Sequence, residues 1–280
     1  MSAADTIAAF RDAMTDAGLE TDAAIIADGR LHRIHIEGDK PGSKNGWYCL
    51  HDGDLPAGAF GSWKTASQKW CAKPDRILTS DEREANQKRY AKARRERDAQ
   101  QQREYERARR KAAVIWKAAK PAPDDHPYLA RKGIKAHGVK LYQGRLVIPA
   151  RDASSILHTQ QFIDGEGSKR FLKNGRKRGC YFGIGNAPAT IAEASGALCI
   201  AEGFATAASI HEATGYAVAV AFDADNMQPV AQALRQKFPT IRVILCADND
   251  QFTPGNPGLN KAMRAARTIG AFVACPEFAL

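Results

Sequence analysis

The chain has 280 residues, and 44% of them are hydrophobic. That is long enough for more than one domain of about 100–200 residues, and apolar enough for an ordinary core. The formal charge is +10, and the stretch from Glu82 to Lys120 alone carries fourteen Lys/Arg against six Asp/Glu. No apolar run approaches the roughly 20 residues of a membrane span. Met1-Ser-Ala-Ala-Asp5 lacks the basic start and apolar core of a signal peptide.

The six cysteines (Cys49, Cys71, Cys180, Cys199, Cys246 and Cys275) form no C-x-x-C pair. Isolated thiols in apolar runs fit a reducing compartment rather than a disulfide framework. The expectation is a soluble cytoplasmic protein whose basic surplus favours phosphate backbones.

Residues 1–78 read as a small α+β module. A helix is expected over Thr6–Ala17, with Ile7, Phe10, Met14 and Ala17 on one face. Leu31–Ile36 alternates as a half-buried strand. Trp47–His51, Asp52-Gly53 and the run through Phe60 and Trp63 read as a hairpin or short meander. Trp47, Tyr48, Phe60, Trp63 and Trp70 are the aromatic core of this module, or alternatively a base-stacking platform assisted by Lys44, Lys64 and Lys69. His32, His35, Cys49, His51 and Cys71 lack the close ligand pairs of structural zinc sites, so no zinc is expected.

Residues 79–120 read as one long basic helix or linker. Thr79-Ser-Asp-Glu82 has the form of a capping box, and neither Gly nor Pro intervenes before Lys120-Pro-Ala-Pro123 ends the helix. Residues 121–195 read as a basic, strand-rich module. It holds a short helix capped at Gly133, then strands over Gly144–Pro149 and Ser155–Ile163. A loop-like segment follows in which Lys169, Arg170, Lys173, Arg176, Lys177 and Arg178 are interspersed with glycines. Glycine permits close backbone approach and the cations neutralise phosphates, a combination suited to nucleic acid or nucleotide; Arg145 is a further candidate.

From Gly196 the pattern becomes β-α-β-α-β. Strands are expected at Ala197–Ala201, Ala217–Phe222 and Ile241–Ala247, with helices at Thr206–Thr214 and Gln228–Phe238. A helix at Lys261–Ile269 and a strand at Ala271–Cys275 follow. Such alternation implies a parallel sheet. Glu202-Gly203 and Asp248-Asn-Asp250 each come directly after an apolar strand. Their carboxylates are thereby delivered to the strand ends where open α/β sheets place their sites. Clustered carboxylates suit Mg²⁺, or Mn²⁺, and phosphoryl chemistry. Singly, Glu202 could be a helix N-terminal charge and the aspartates a cap; three in register favour a metal site. Asp223-Ala-Asp225 also follows a strand, but the second one.

This order of strand, Glu-Gly, helix, strand, helix, strand, Asp-x-Asp resembles the TOPRIM domain of bacterial primases, topoisomerases and certain nucleases. Glu202-Gly-Phe-Ala-Thr206-Ala is closest to the TOPRIM variants of plasmid and phage DnaG-type primases. Upstream, Gly144-Arg-Leu-Val-Ile-Pro149, Gln161, Lys169-Arg-Phe-Leu172 and Gly179 resemble the N-terminal half of a bacterial primase core. Residues 1–120 are more loosely similar to the front of conjugative-plasmid primases.

The resemblance implies a TOPRIM domain over 196–280, preceded by the basic α+β module, the long charged helix and the small N-terminal α+β domain. It implies a mobile-element primase that makes short RNA primers on single-stranded DNA from ribonucleoside triphosphates, with a replicative helicase as partner. Glu202, Asp248 and Asp250 would hold the metal and carry catalysis. Arg145, Lys169, Arg170, Lys173, Arg176, Lys177 and Arg178 would bind template or nucleotide phosphates. Thr206 stands where many primases carry Asp. The further acidic motif usual after the last strand is not met before Leu280, with Glu277 as a candidate substitute. The alternatives are a TOPRIM nuclease and a degenerate single-strand-binding accessory protein.

Overall fold

The structure, a computed structural model, describes residues 2–53, 56–62, 67–72, 80–185 and 196–277. Trp63, Lys64, Thr79 and the side chain of Glu82 lie outside these residues, and with them the expected capping box and part of the aromatic set. The chain divides into two compact units, Met1–Glu96 and Arg97–Leu280.

In the first unit, helix α1 (Ala3–Asp16) opens on a capping box in which Ser2 and Asp5 bond each other's backbone and side chain. Strands β1 (His32–Ile34), β2 (Gly46–His51), β3 (Ala57–Ser62) and β4 (Gln68–Cys71) form an antiparallel sheet in that order. Phe10 and Met14 of the helix join Tyr48, Leu50 and Phe60 of the sheet in one core. The Phe10 ring meets those of Tyr48, Phe60 and Trp70 edge-on. Tyr48 and Phe60 are therefore core residues, and Trp70 packs against that core, which leaves none of the three as a free stacking platform.

Helix α2 (Ser80–Ala118) is 39 residues long. Within the second unit its buried positions are Ala108, Ala112 and Ile115, with Ala119 next beyond it, a 4-3-4 spacing that marks one helical face. Near its end Lys140 donates to the Trp116 carbonyl and its ammonium lies 4.6 Å from the Trp116 ring. Helix α3 (Pro127–Lys132) is short; the His126 side chain caps its start and Gly133 ends it in the left-handed conformation.

Two five-stranded sheets make the body of this unit. The first is antiparallel, in the order β5 (Lys120–Pro121), β6 (Lys140–Tyr142), β7 (Arg145–Arg151), β8 (Leu157–Ile163), β9 (Lys169–Phe171). Lys169-Arg-Phe171, expected within a loop, is thus an edge strand paired to β8. The second sheet has the order β10 (Phe182–Ile184), β12 (Ala217–Val220), β11 (Ala197–Ala201), β13 (Arg242–Cys246), β14 (Phe272–Ala274). Its last four strands are parallel, and β10 joins antiparallel.

Every residue of β11 and β12 is buried, because both faces of this sheet are covered. Cys199 and Ala201 face a core that includes Leu146, Ile148 and Ile163 of the antiparallel sheet and Phe204 of α4 (Phe204–Thr214). Leu198 and Ile200 face the opposite way, onto α5 (Ala224–Lys237) and α6 (Pro257–Ile269). That is the two-residue period of a strand. Full burial of side chains such as Ile200 and Phe204 contributes about 1.5–3 kcal/mol each.

Among the described residues, the three helices beside the second sheet all start earlier than their apolar periodicity implies. Gly203 stands at the N-cap of α4, the Asp223 side chain caps α5, and Asn256 caps α6 with Pro257 in its first turn. Capping side chains recruit a further turn, and in α5 that turn extends ahead of Pro229, which lies inside the helix. Among the described residues, no helix is long and apolar enough to cross a membrane.

Candidate active site

The carboxyl ends of β11, β12 and β13 lie side by side, since Ala201 is registered with Val220 on one side and Cys246 on the other. Glu202 is the first residue past β11; Asp223 lies beyond β12, and Asp248 and Asp250 beyond β13. All four side chains are partly buried at this edge. Burial raises the carboxyl of Glu202 above its ordinary range, and the charges of Asp248, Asp223 and Asp250 push it further. Asp248 is raised by burial and by Asp250. Lys169 opposes both shifts, so its ammonium belongs to the same site. A Cβ placed on Gly203 would lie 3.9 Å from Lys169 Nζ.

Register explains why Lys169, and not its neighbour, reaches the acids. Lys169 pairs with Ile163, which pairs with Leu146, and both apolar side chains point into the core shared with the parallel sheet. Arg170 is registered with Phe162 and so faces the other side of the antiparallel sheet. Arg145, exposed at the start of β7, also alternates away from Leu146. Lys173 and Arg178 are exposed, and Arg176 Nε donates to the Arg178 carbonyl. Lys177 is ion-paired with Asp223 and lies 5.6 Å from the Phe171 ring centre. Of the seven basic candidates, the structure brings Lys169 and Lys177 to the acidic edge.

The second pair, Asp223 and Asp225, has roles of its own. Asp223 accepts from the Asn226 N–H as the cap of α5 and from Lys177. Asp225 is exposed and pairs with Lys261. Phe222, just before Asp223, has φ of +73°, a strained value for a bulky residue. Its ring meets Phe171 edge-on at 5.3 Å.

Sequence reasoning missed two supports. Asn226 is 3% exposed, and its amide donates to the carbonyls of Cys180 and Ala221 while its oxygen accepts from the Gly179 N–H. It thereby stitches the end of the basic segment to the end of β12. Its place in a capped first turn, Asp-Ala-Asp-Asn, was the available signal. The second is Gly258. Its N–H donates to Asp250 Oδ2, and a Cβ there would lie 2.6 Å from the Asp248 carbonyl oxygen and 2.8 Å from Asp250 Oδ2. Helix α6 begins so close to both aspartates that only glycine fits. A similar approach occurs at Gly175, where a Cβ would collide with the Thr159 side chain, seating the basic segment on β8.

Carboxylates raised first by burial and then by one another's charges offer hard oxygen donors of the kind a divalent cation takes. Among the described residues, no three His, Cys, Asp or Glu side chains converge closely enough to hold a metal ion between them. The binding groups are therefore gathered at one edge but not drawn together, and one oxygen of Asp250 is turned to Gly258.

Residues 196–274 match the family described as Toprim domain. Two Escherichia coli proteins named DNA primase TraC are 39% and 36% identical over 91% and 96% of this chain. The chain spans only 24% and 19% of their lengths. Among solved structures, the primase fragment of the bacteriophage T7 primase-helicase protein is 15% identical with a TM-score of 0.39, over 54% of this chain and 64% of that one. Residues 196–274, which carry the acidic edge, thus match the Toprim domain family, and the chain along most of its length is similar to part of the proteins named DNA primase TraC.

Proposed function

We propose that this chain is a primase-type nucleotidyltransferase of a mobile element, a DNA-directed RNA polymerase making short RNA primers on single-stranded DNA in the cytoplasm. One observation carries the reading: Glu202, past β11, emerges at the same sheet edge as Asp248 and Asp250, past β13, with Lys169 of the neighbouring sheet beside Gly203, and burial and then the charges of Asp248, Asp223 and Asp250 raise the Glu202 carboxyl. An acidic edge with a facing cation is what a nucleoside triphosphate requires, because its phosphates need both a metal-binding surface and a fixed positive charge.

Glu202, Asp248 and Asp250 would hold Mg²⁺ or Mn²⁺, which when bound supplies charge neutralisation to triphosphate oxygens. Lys169 places its ammonium beside Gly203, where it can hold a phosphate oxygen without a metal intermediary. Glu202, with its raised carboxyl, is suited to accept the proton of an attacking 3′-hydroxyl. Lys173, Arg176 and Arg178 would grip the template or nucleotide phosphates from the segment that Asn226 anchors; Arg145 and Arg170 would do so from the other face of the antiparallel sheet. The labour divides along the four segments 1–78, 79–120, 121–195 and 196–280, with chemistry in the last two. A replicative helicase is the proposed partner.

The test is primer synthesis on single-stranded DNA with labelled ribonucleotides and Mg²⁺ or Mn²⁺, beside Glu202→Gln and Asp248→Asn. Short RNA products reduced by about 100-fold or more in both variants are expected. Metal-dependent strand cleavage without synthesis would make the protein a nuclease. Salt-sensitive DNA binding with neither activity would make it a binding module.

A further inference from the structure

We propose that Phe252 is the stacking face for a nucleobase held at the acidic edge; the inference rests on the nucleotide-handling reading above. Phe252 is 88% exposed, although two residues earlier the chain is part of the carboxylate site. It belongs to none of the three hydrophobic clusters formed by the described residues. Two residues of extended chain span at most about 7 Å, so the ring lies within a nucleotide's length of Asp250.

The backbone that carries the ring is also held in place. Thr253 N–H donates to the Asp250 carbonyl at 2.7 Å, closing a turn with Gln251 and Phe252 at its two corner positions. Asp250 N–H donates to Asn256 Oδ1, Asn256 N–H to the Thr253 carbonyl, and Asn256 Nδ2 to Asn249 Oδ1. Phe252 is thus presented from a turn whose bonds run directly to Asp250. Turn corners favour Gly, Pro, Asn, Asp and Ser for local reasons, and phenylalanine has none of these. Leaving the ring in water also forgoes the stabilisation of burying it.

A flat apolar face beside a cluster of carboxylates suits a ligand that offers an uncharged π-surface within reach of a phosphate that a cation at those carboxylates would hold. A nucleobase does so, and stacking tolerates any base. The base could come from the incoming ribonucleotide or from the template strand, and matched base-free probes separate these sources.

Affinities would be measured with Mn²⁺ for GTP and for inorganic triphosphate, and separately for a short single-stranded oligonucleotide and its abasic counterpart. Wild type, Phe252→Ala and Phe252→Tyr would be compared. Stacking predicts a loss of roughly 5- to 150-fold in Phe252→Ala on a base-bearing probe, none on its base-free partner, and recovery in Phe252→Tyr. Loss on GTP assigns the incoming base; loss on the oligonucleotide assigns the template. Unchanged binding of every probe, or equal loss on base-bearing and base-free probes, overturns the proposal. A wild-type protein that binds none of the four overturns the nucleotide-handling reading itself.

Discussion

Lys177, from the basic glycine-rich segment, is ion-paired with Asp223 at the carboxyl end of β12. The pair takes Asp223 out of competition for a cation and leaves Glu202, Asp248 and Asp250 as the unneutralised acids apart from Lys169. It also joins the antiparallel sheet's last segment to the parallel sheet.

The stability contribution of that pair is small. The side chains are 39% and 31% exposed, so solvent screens the attraction. A double-mutant cycle of Lys177→Ala and Asp223→Ala, read by urea denaturation, should give a coupling below about 1 kcal/mol. A coupling above about 2 kcal/mol would mean that the pair is effectively dry.

Asn226 should matter far more. Asn226→Ala leaves the Gly179 N–H and the carbonyls of Cys180 and Ala221 without this partner in a buried place. Unsatisfied buried groups cost about 1–3 kcal/mol each, and partial relaxation keeps the total near 2–4 kcal/mol. Urea denaturation should rank Asn226→Ala well below Lys177→Ala in stability; the reverse order would refute the tether.

Gly258→Ala should weaken the acidic site while leaving the fold standing. The added methyl meets the Asp248 carbonyl and Asp250 Oδ2, so at least one aspartate must shift. Calorimetric titration with Mn²⁺ should show roughly 10- to 100-fold weaker binding, the usual cost of disturbing the support of a metal site. Gly183→Ala, where an added Cβ meets nothing within 4 Å, is the control and should bind as wild type.

Glu212 on α4 makes an acid-sensitive latch. Its carboxylate accepts from the Lys135 N–H at 2.8 Å and pairs with His137. The backbone bond, and then the His137 bond, hold its carboxyl below the ordinary value of 4.5. A carboxyl lowered on folding contributes stability above the unfolded value, and that contribution disappears as pH falls through the folded one. Glu212→Gln should therefore flatten the loss of stability below about pH 4.5. Denaturation midpoints from pH 7 to pH 3 would show it, and parallel curves for both proteins would contradict the latch.

The alternation of apolar strands with single helices after Gly196, and the acidic residues immediately beyond two of those strands, are legible without a structure. Local patterning suffices there: a five-residue apolar run such as Ala197–Ala201 has no stable place but a doubly covered strand, and whatever follows it emerges at the sheet's edge. Helix starts were less legible, because Asp223 and Asn256 act through cap geometry rather than hydrophobic period.

What sequence alone determined is accordingly the order of elements and the edge at which Glu202, Asp248 and Asp250 emerge. Tertiary structure decided which cations meet them. Lys169 and Arg170 are neighbours of like charge, and only the pairing of β9 with β8 turns one toward the acids and the other away. Asp223 and Asp248 follow similar strands, and only the approach of Lys177, Asn226 and Gly258 separates a capped ion pair from an acid beside a helix start. Those differences arise between residues far apart along the chain, where no local period can encode them.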